Sequence, residues 1–184
     1  NFKAATADLK TALLKDNNNV KAQLKLAEVA YRLGDYSAAQ DYLSAIEKIG
    51  IINDESKILS YRLMLAQGKF DAVIKAGESE KVISESMKLS FMAQAFNGLG
   101  QYDRAFDAFG RGLSIDPKNI DILNERGKTF IVKEDYPSAE KDINAILGMN
   151  PDNAVALYQQ GLIKVIRGDI ASAKASLEKS AAGA

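Results

Sequence analysis

Gly100-Gln101-Tyr102-Asp103-Arg104-Ala105-Phe106-Asp107-Ala108-Phe109 is the stretch that decides how this chain folds. A glycine, an aromatic residue two places on, a small residue after three more and a large apolar one after four more describe a turn that opens a helix with a close crossing point. The same punctuation recurs as Gly34-Asp35-Tyr36, Gly68-Lys69-Phe70, Glu134-Asp135-Tyr136 and Gly168-Asp169-Ile170, at successive spacings of 34, 32, 34 and 34 residues. Ala39, Val73, Ala105, Ala139 and Ala173 fill the small place; Leu43, Phe109, Ile143 and Leu177 fill the large one. Self-similarity at such a period marks stacked helical hairpins, none of which can bury its own apolar stripe alone.

Outward from these turns, the register runs back to Phe2, Ala5, Leu9 and Ala12, which stand where Tyr36, Ala39, Leu43 and Ile46 stand one repeat later. One array of eleven helices is therefore expected over 1–184: a half repeat at 1–19, then repeats at 20–53, 54–85, 86–119, 120–153 and 154–184. Asn19, Asn53, Asn119 and Asn153 stand at repeat boundaries, where their side chains can accept from the free amides of the first helix, helix A. Helix A then carries a small residue at its crossing point, Ala27, Ala93, Gly127 or Gly161, and ends at the turn. Helix B follows directly. Pro137 suits its first turn, and Pro117 and Pro151 fall in the links behind helix B.

Repeat 54–85 is the irregular member. It is two residues short against the others, Tyr61 stands at its small place, and Gly77 is expected to interrupt its helix B, so the most disturbed packing is expected at 76–86.

Composition narrows the function. The 24 lysines and arginines equal the 24 aspartates and glutamates without forming blocks, so the field that attracts nucleic acid or anionic lipid is missing. No histidine and no cysteine are present, which removes imidazole bases, thiolate nucleophiles, disulfides and the usual zinc sites. No apolar run approaches the roughly 18–20 residues of a membrane-spanning helix. The opening Asn1-Phe2-Lys3 resembles neither a signal peptide nor an initiator methionine, so the sequence reads as an excised fragment.

The pattern resembles the tetratricopeptide repeat family, and residues 86–119 match it most fully through Ala93, Gly100, Tyr102, Ala105, Phe109 and Pro117. That resemblance implies an all-α, right-handed α-solenoid of helix-turn-helix repeats. The early tryptophan place of the family holds Gln23, Lys57, Leu89, Leu123 and Leu157 here. Chaperone-binding members hold a C-terminal carboxylate with lysine and asparagine at set helix A places; here those places carry Leu24 with Glu28 and Ile58 with Arg62, so that pattern is absent. More narrowly, Ala12-Leu13-Leu14-Lys15-Asp16, the run from Leu26-Ala27-Glu28 to Tyr36 and the shortened unit with Gln67-Gly68-Lys69-Phe70-Asp71 are similar to large bacterial repeat lipoproteins of exopolysaccharide and PEP-CTERM exosortase loci. This resemblance implies a scaffold in the outer envelope, periplasmic or outer-membrane-associated, anchored by an N-terminal lipid; a cytoplasmic setting is the alternative.

The functional face of such a stack is the one lined by helices A, where the fifth, ninth and twelfth places of each repeat form a ladder. It comprises Leu24, Glu28 and Tyr31; Ile58, Arg62 and Leu65; Ser90, Gln94 and Asn97; Asn124, Lys128 and Ile131; and Tyr158, Leu162 and Val165. The partner-binding candidates are Glu28, Tyr31, Arg62, Leu65, Gln94, Asn97, Asn124, Lys128, Ile131 and Tyr158, a mixture suited to a protein or peptide. Leu162, Val165 and Ile166 read instead as a face awaiting a following repeat. Glu78, Glu80 and Glu85 alternate with Lys75, Lys81 and Lys88, the pattern of a solvated loop rather than an acid/base pair. The expected role is a scaffold without catalysis, cofactor or metal. A structural spacer or a homo-oligomer is the other reading left open.

Overall fold

A computed structural model describes residues 2–183, with side chains from residue 6 onward. Phe2 and Ala5, which open the expected register, therefore have side chains outside the described residues. Eleven helices form in the expected order: α1 (Phe2–Lys15), α2 (Val20–Arg32), α3 (Tyr36–Ile49), α4 (Asp54–Ala66), α5 (Phe70–Ser79), α6 (Glu85–Gly98), α7 (Tyr102–Ile115), α8 (Ile120–Val132), α9 (Tyr136–Met149), α10 (Ala154–Ile166) and α11 (Ile170–Ala182). The described residues contain no strand, so the fold is all-α.

Every expected asparagine cap forms. Asn19, Asn53, Asn119 and Asn153 accept from the amides of Ala22, Ser56, Ile122 and Ala156 at 3.0, 2.9, 3.1 and 2.9 Å. Ser56 answers with its own hydroxyl at the Asn53 amide, closing a capping box. Helix B has a cap of its own: Asp35, Asp135 and Asp169 accept from Ala38, Ser138 and Ser172 at 3.0, 3.2 and 3.1 Å. Lys69 and Gln101 occupy that place in α5 and α7 without a capping side chain bond. The turn before helix B needs a left-handed residue, and four glycines supply it. In the fourth full repeat Glu134 takes φ +60° instead, and donates to the Ile131 carbonyl at 3.0 Å as Gly34 does to Tyr31.

The chain falls into two compact units, Asn1–Ser84 and Glu85–Ala184, where one array was expected. Within each unit the packing rule is the same. Helix A lies against its own helix B and against the next helix A, and helix B lies against the next helix A. The first unit centres on Leu24, Ala27, Ala39, Leu43, Ile46, Leu59 and Leu63. The second includes Leu123, Ala139, Ile143, Ile146, Ala156 and Ile163. The column of small residues is buried in both units. A Cβ on Gly127 would stand 2.7 Å from Gln159 Oε1, and one on Gly161 2.7 Å from Leu177 Cδ2, so a side chain at either place would have to displace that neighbour.

The short repeat departs from expectation. Gly77 does not interrupt α5, which runs through it and stops at Ser79, 10 residues long against 14 for α3. Glycine in a helix costs about 1 kcal/mol against alanine, which burial nearby can offset. Tyr61, in the small place of α4, is 1% exposed, while Gly77, in the large place of α5, is buried as well. Large and small have changed helices.

The link after α5 is tied down by Glu80. Its Oε1 accepts from the amides of Lys81 and Val82 at 2.8 and 2.6 Å. Its Oε2 accepts from the Tyr61 hydroxyl at 3.5 Å and lies 4.0 Å from Lys57 Nζ. With a side chain 6% exposed, Glu80 is not the solvated acid its neighbours suggested. Burial first, then the Glu80 charge, pushes the Tyr61 phenol up to about 12. Glu85 does behave as expected, pairing with Lys88 at 2.5 Å.

Candidate partner-binding grooves

In the first unit, α2 and α4 lie side by side and leave a cleft of about 410 Å³. Its floor is Tyr31, Ile58 and Leu59. Tyr36, at the start of α3, holds the Tyr31 ring at 6.0 Å between centroids, tilted by 37°. The walls are charged, with Lys25, Glu28, Arg32, Glu55 and Arg62. Lys25 pairs with Glu28 at 2.8 Å. That hydrogen bond, and then the Glu28 charge, hold the Lys25 ammonium above the usual lysine range, with a smaller contribution from Glu55.

The structure thus brings together Glu28, Tyr31, Ile58 and Arg62 from the sequence ladder. Leu65 is half-buried on α4 outside the cleft lining, and Leu24 is in the core. Sequence reasoning missed Lys25, Arg32, Glu55 and Leu59. Their signal was present: the second, sixth and thirteenth places lie beside the fifth, ninth and twelfth at helical i+3 and i+4 steps. A ladder of one residue per turn was too narrow.

In the second unit the fifth place is a contact, not a surface, in the two repeats that another helix A follows. Asn124, a partner-binding candidate from sequence, is 7% exposed and must be withdrawn from the groove. Its carbonyl accepts from Gln159 Nε2 of α10 at 3.0 Å, because the next helix A covers this place. Ser90 is buried in the same way. Gln94 donates to Ser90 Oγ at 3.4 Å and is half-buried. Asn97 is half-buried and donates to Thr129 Oγ1, tying α6 to α8 rather than standing free. Lys128 is exposed and paired with Glu125 at 2.6 Å. Ile131 packs half-buried against the core. Tyr158 is 54% exposed, and Val165 and Ile166 are exposed with it.

A further polar contact was not foreseen. Arg126 donates to both oxygens of Asp142 at 2.8 and 2.6 Å, joining α8 to α9, and Asp142 is buried. The signal is non-local, since these residues are charged places on different helices.

Hairpins that recur in one pattern and, within each unit, lay one helix A on the next define a helical-repeat protein. Residues 1–50 and 89–119 match family models described as tetratricopeptide repeat, and the other hairpins follow the same pattern. Among solved structures, PilW, a widely conserved type IV pilus biogenesis factor, is 18% identical with a TM-score of 0.71, covering 95% of this chain and 82% of that one. YrrB, a repeat protein with an unusual peptide-binding site, is 12% identical with a TM-score of 0.55, covering 95% and 91%. These likenesses concern the fold. RNA polymerase II-associated protein 3 of Xenopus tropicalis is 32% identical over 80 residues, 44% of this chain and 12% of that protein. DnaJ homolog subfamily C member 3 of Rattus norvegicus is 24% identical over 182 residues, 89% of this chain and 36% of that protein. The chain thus spans well under two thirds of these curated relatives.

Proposed function

We propose that this chain is a non-catalytic scaffold that holds a protein or peptide segment against its helix A faces. The cleft between α2 and α4 carries the reading: an apolar floor that includes an aromatic ring, bordered by charged side chains, is the composition of a segment-binding groove. The peptide-binding site named for YrrB supports it. A photo-crosslinking residue placed at Arg62 should capture a discrete partner in cells of the parent organism, and one placed at exposed Lys141 on helix B should not. Equal capture at both places overturns the reading.

The setting we propose is the bacterial envelope, periplasmic or outer-membrane-associated, in polysaccharide export or protein sorting. The resemblance to envelope lipoproteins supports it, and PilW is a pilus biogenesis factor. Fractionation of parent cells tests it, and recovery of the protein in the cytosol alone overturns it. A second reading, self-association as a spacer, draws on the exposed Tyr158, Val165 and Ile166. Light scattering separates them, since a stable dimer favours the spacer.

A further inference from the structure

We infer that the α2/α4 groove selects a segment by charge, seating a carboxylate-bearing stretch with an apolar side chain over Tyr31, Arg32 and Arg62. This rests on the groove reading above and adds the chemistry of the occupant. The lining charges are not spread evenly along the cleft. Lys25 and Glu55 lie in the N-terminal halves of α2 and α4, whereas Arg32 closes α2 and Arg62 lies in the C-terminal half of α4, at the same repeat place as Glu28 on α2.

Glu28, the acid at the level of Arg62, is already served. It holds the Lys25 ammonium at 2.8 Å, and the Glu55 charge acts on the same lysine. Among the described residues, Arg32 and Arg62 form no ion pair, and both are exposed. A guanidinium stays protonated at any physiological pH and offers a planar fork that fits a carboxylate. Two of them beside Tyr31, whose ring Tyr36 supports, make a place for an acidic group next to an apolar one. The preformed aromatic surface lowers the ordering cost of binding. A basic segment would meet two like charges there and find Glu28 occupied by Lys25.

Three short capped peptides test the inference by titration calorimetry on the whole chain: one alternating glutamate with leucine, one glutamine with leucine and one lysine with leucine. The glutamate peptide should bind at least about tenfold more tightly than the glutamine one, and added salt should weaken it. Arg32→Gln and Arg62→Gln should each cost about tenfold for the glutamate peptide and leave the glutamine peptide unchanged. Arg111→Gln, on exposed helix B, should change nothing. Circular dichroism confirms that each variant is folded. Equal binding of the glutamate and glutamine peptides, with both lost on Tyr31→Ala, overturns the charge selection and keeps the groove. Binding of none of the three, or loss on Arg111→Gln alone, overturns both.

Discussion

In repeat 154–184 the crossing of the two helices carries Gly161 on α10, where a Cβ would strike the half-buried Leu177 of α11. In repeat 54–85 the corresponding places carry Tyr61 on α4 and Gly77 on α5. The first arrangement lets helix A yield space to a large residue of helix B; the second reverses the donors of volume. What the register pairs in both repeats is one large and one small residue, an exchange of the kind close-packed interiors tolerate when total volume is kept. The reversal also recruits a polar group, since the tyrosine hydroxyl reaches Glu80 beyond the end of the shortened helix.

The strongest way to break this comparison is to undo the exchange. Tyr61→Ala should destabilise the chain by about 3–5 kcal/mol, the cost of emptying a large buried site. Combined with Gly77→Leu, which restores the arrangement of the other repeats, it should cost clearly less than the sum of the two single changes. Urea unfolding of the four variants gives the coupling. Additivity within about 0.5 kcal/mol would show that the two places are independent.

The regular crossing is sharpened by Ala105→Leu, which should cost about 1–3 kcal/mol through overpacking. An unchanged melting temperature would mean that the alanine column is not the close contact described.

Alkali tests the tyrosine itself. Below pH 10 Tyr61 is protonated folded and unfolded, so its burial makes no pH dependence; above pH 10 the unfolded phenol loses its proton while the folded one keeps it until about pH 12. Stability should therefore fall across that window by up to about 1.4 kcal/mol per pH unit from this group alone. Tyr61→Phe should lack that part of the fall, as read from urea midpoints at stepped pH.

The caps distinguish the repeats more finely. Asn119→Ala should cost about 1 kcal/mol, whereas Lys69→Ala, at a helix start with no side-chain cap, should stay within about 0.5 kcal/mol. Glu134→Gly should stabilise the turn of repeat 120–153 by about 0.5–1 kcal/mol, by relieving the left-handed backbone that every other turn before a helix B assigns to glycine. Thermal melts read all three changes.

What was legible in advance was what the chain determines within a few residues. The asparagine caps, the glycine turns and the alanine column all depend on neighbours three or four places away, and all stand where the spacing put them. Gly77 misled because a glycine in isolation signals a break, and only its tyrosine counterpart on the preceding helix explains why it is tolerated. The groove was half legible: the ninth and twelfth places gave Glu28, Tyr31 and Arg62. The fifth was misjudged because Asn124 and Ser90 face the next helix A rather than solvent. The Arg126–Asp142 pair and the Glu80 tie were invisible, since nothing in a linear pattern says which charged places of two helices meet.

The caps differ in chemistry, and one of them makes its helix sensitive to acid. Four of the helices A start on an asparagine, which carries no titrating proton; α11 starts on an aspartate, which does. The hydroxyl of Ser172, and then its amide, hold the Asp169 carboxyl below the usual carboxylate range. Its support for α11 is therefore complete above the unfolded value and disappears as pH falls through the lowered one. Acidification should loosen the start of α11 while leaving those of α2, α4, α8 and α10 held, so that amide exchange in mild acid would light up the last hairpin at its second helix first.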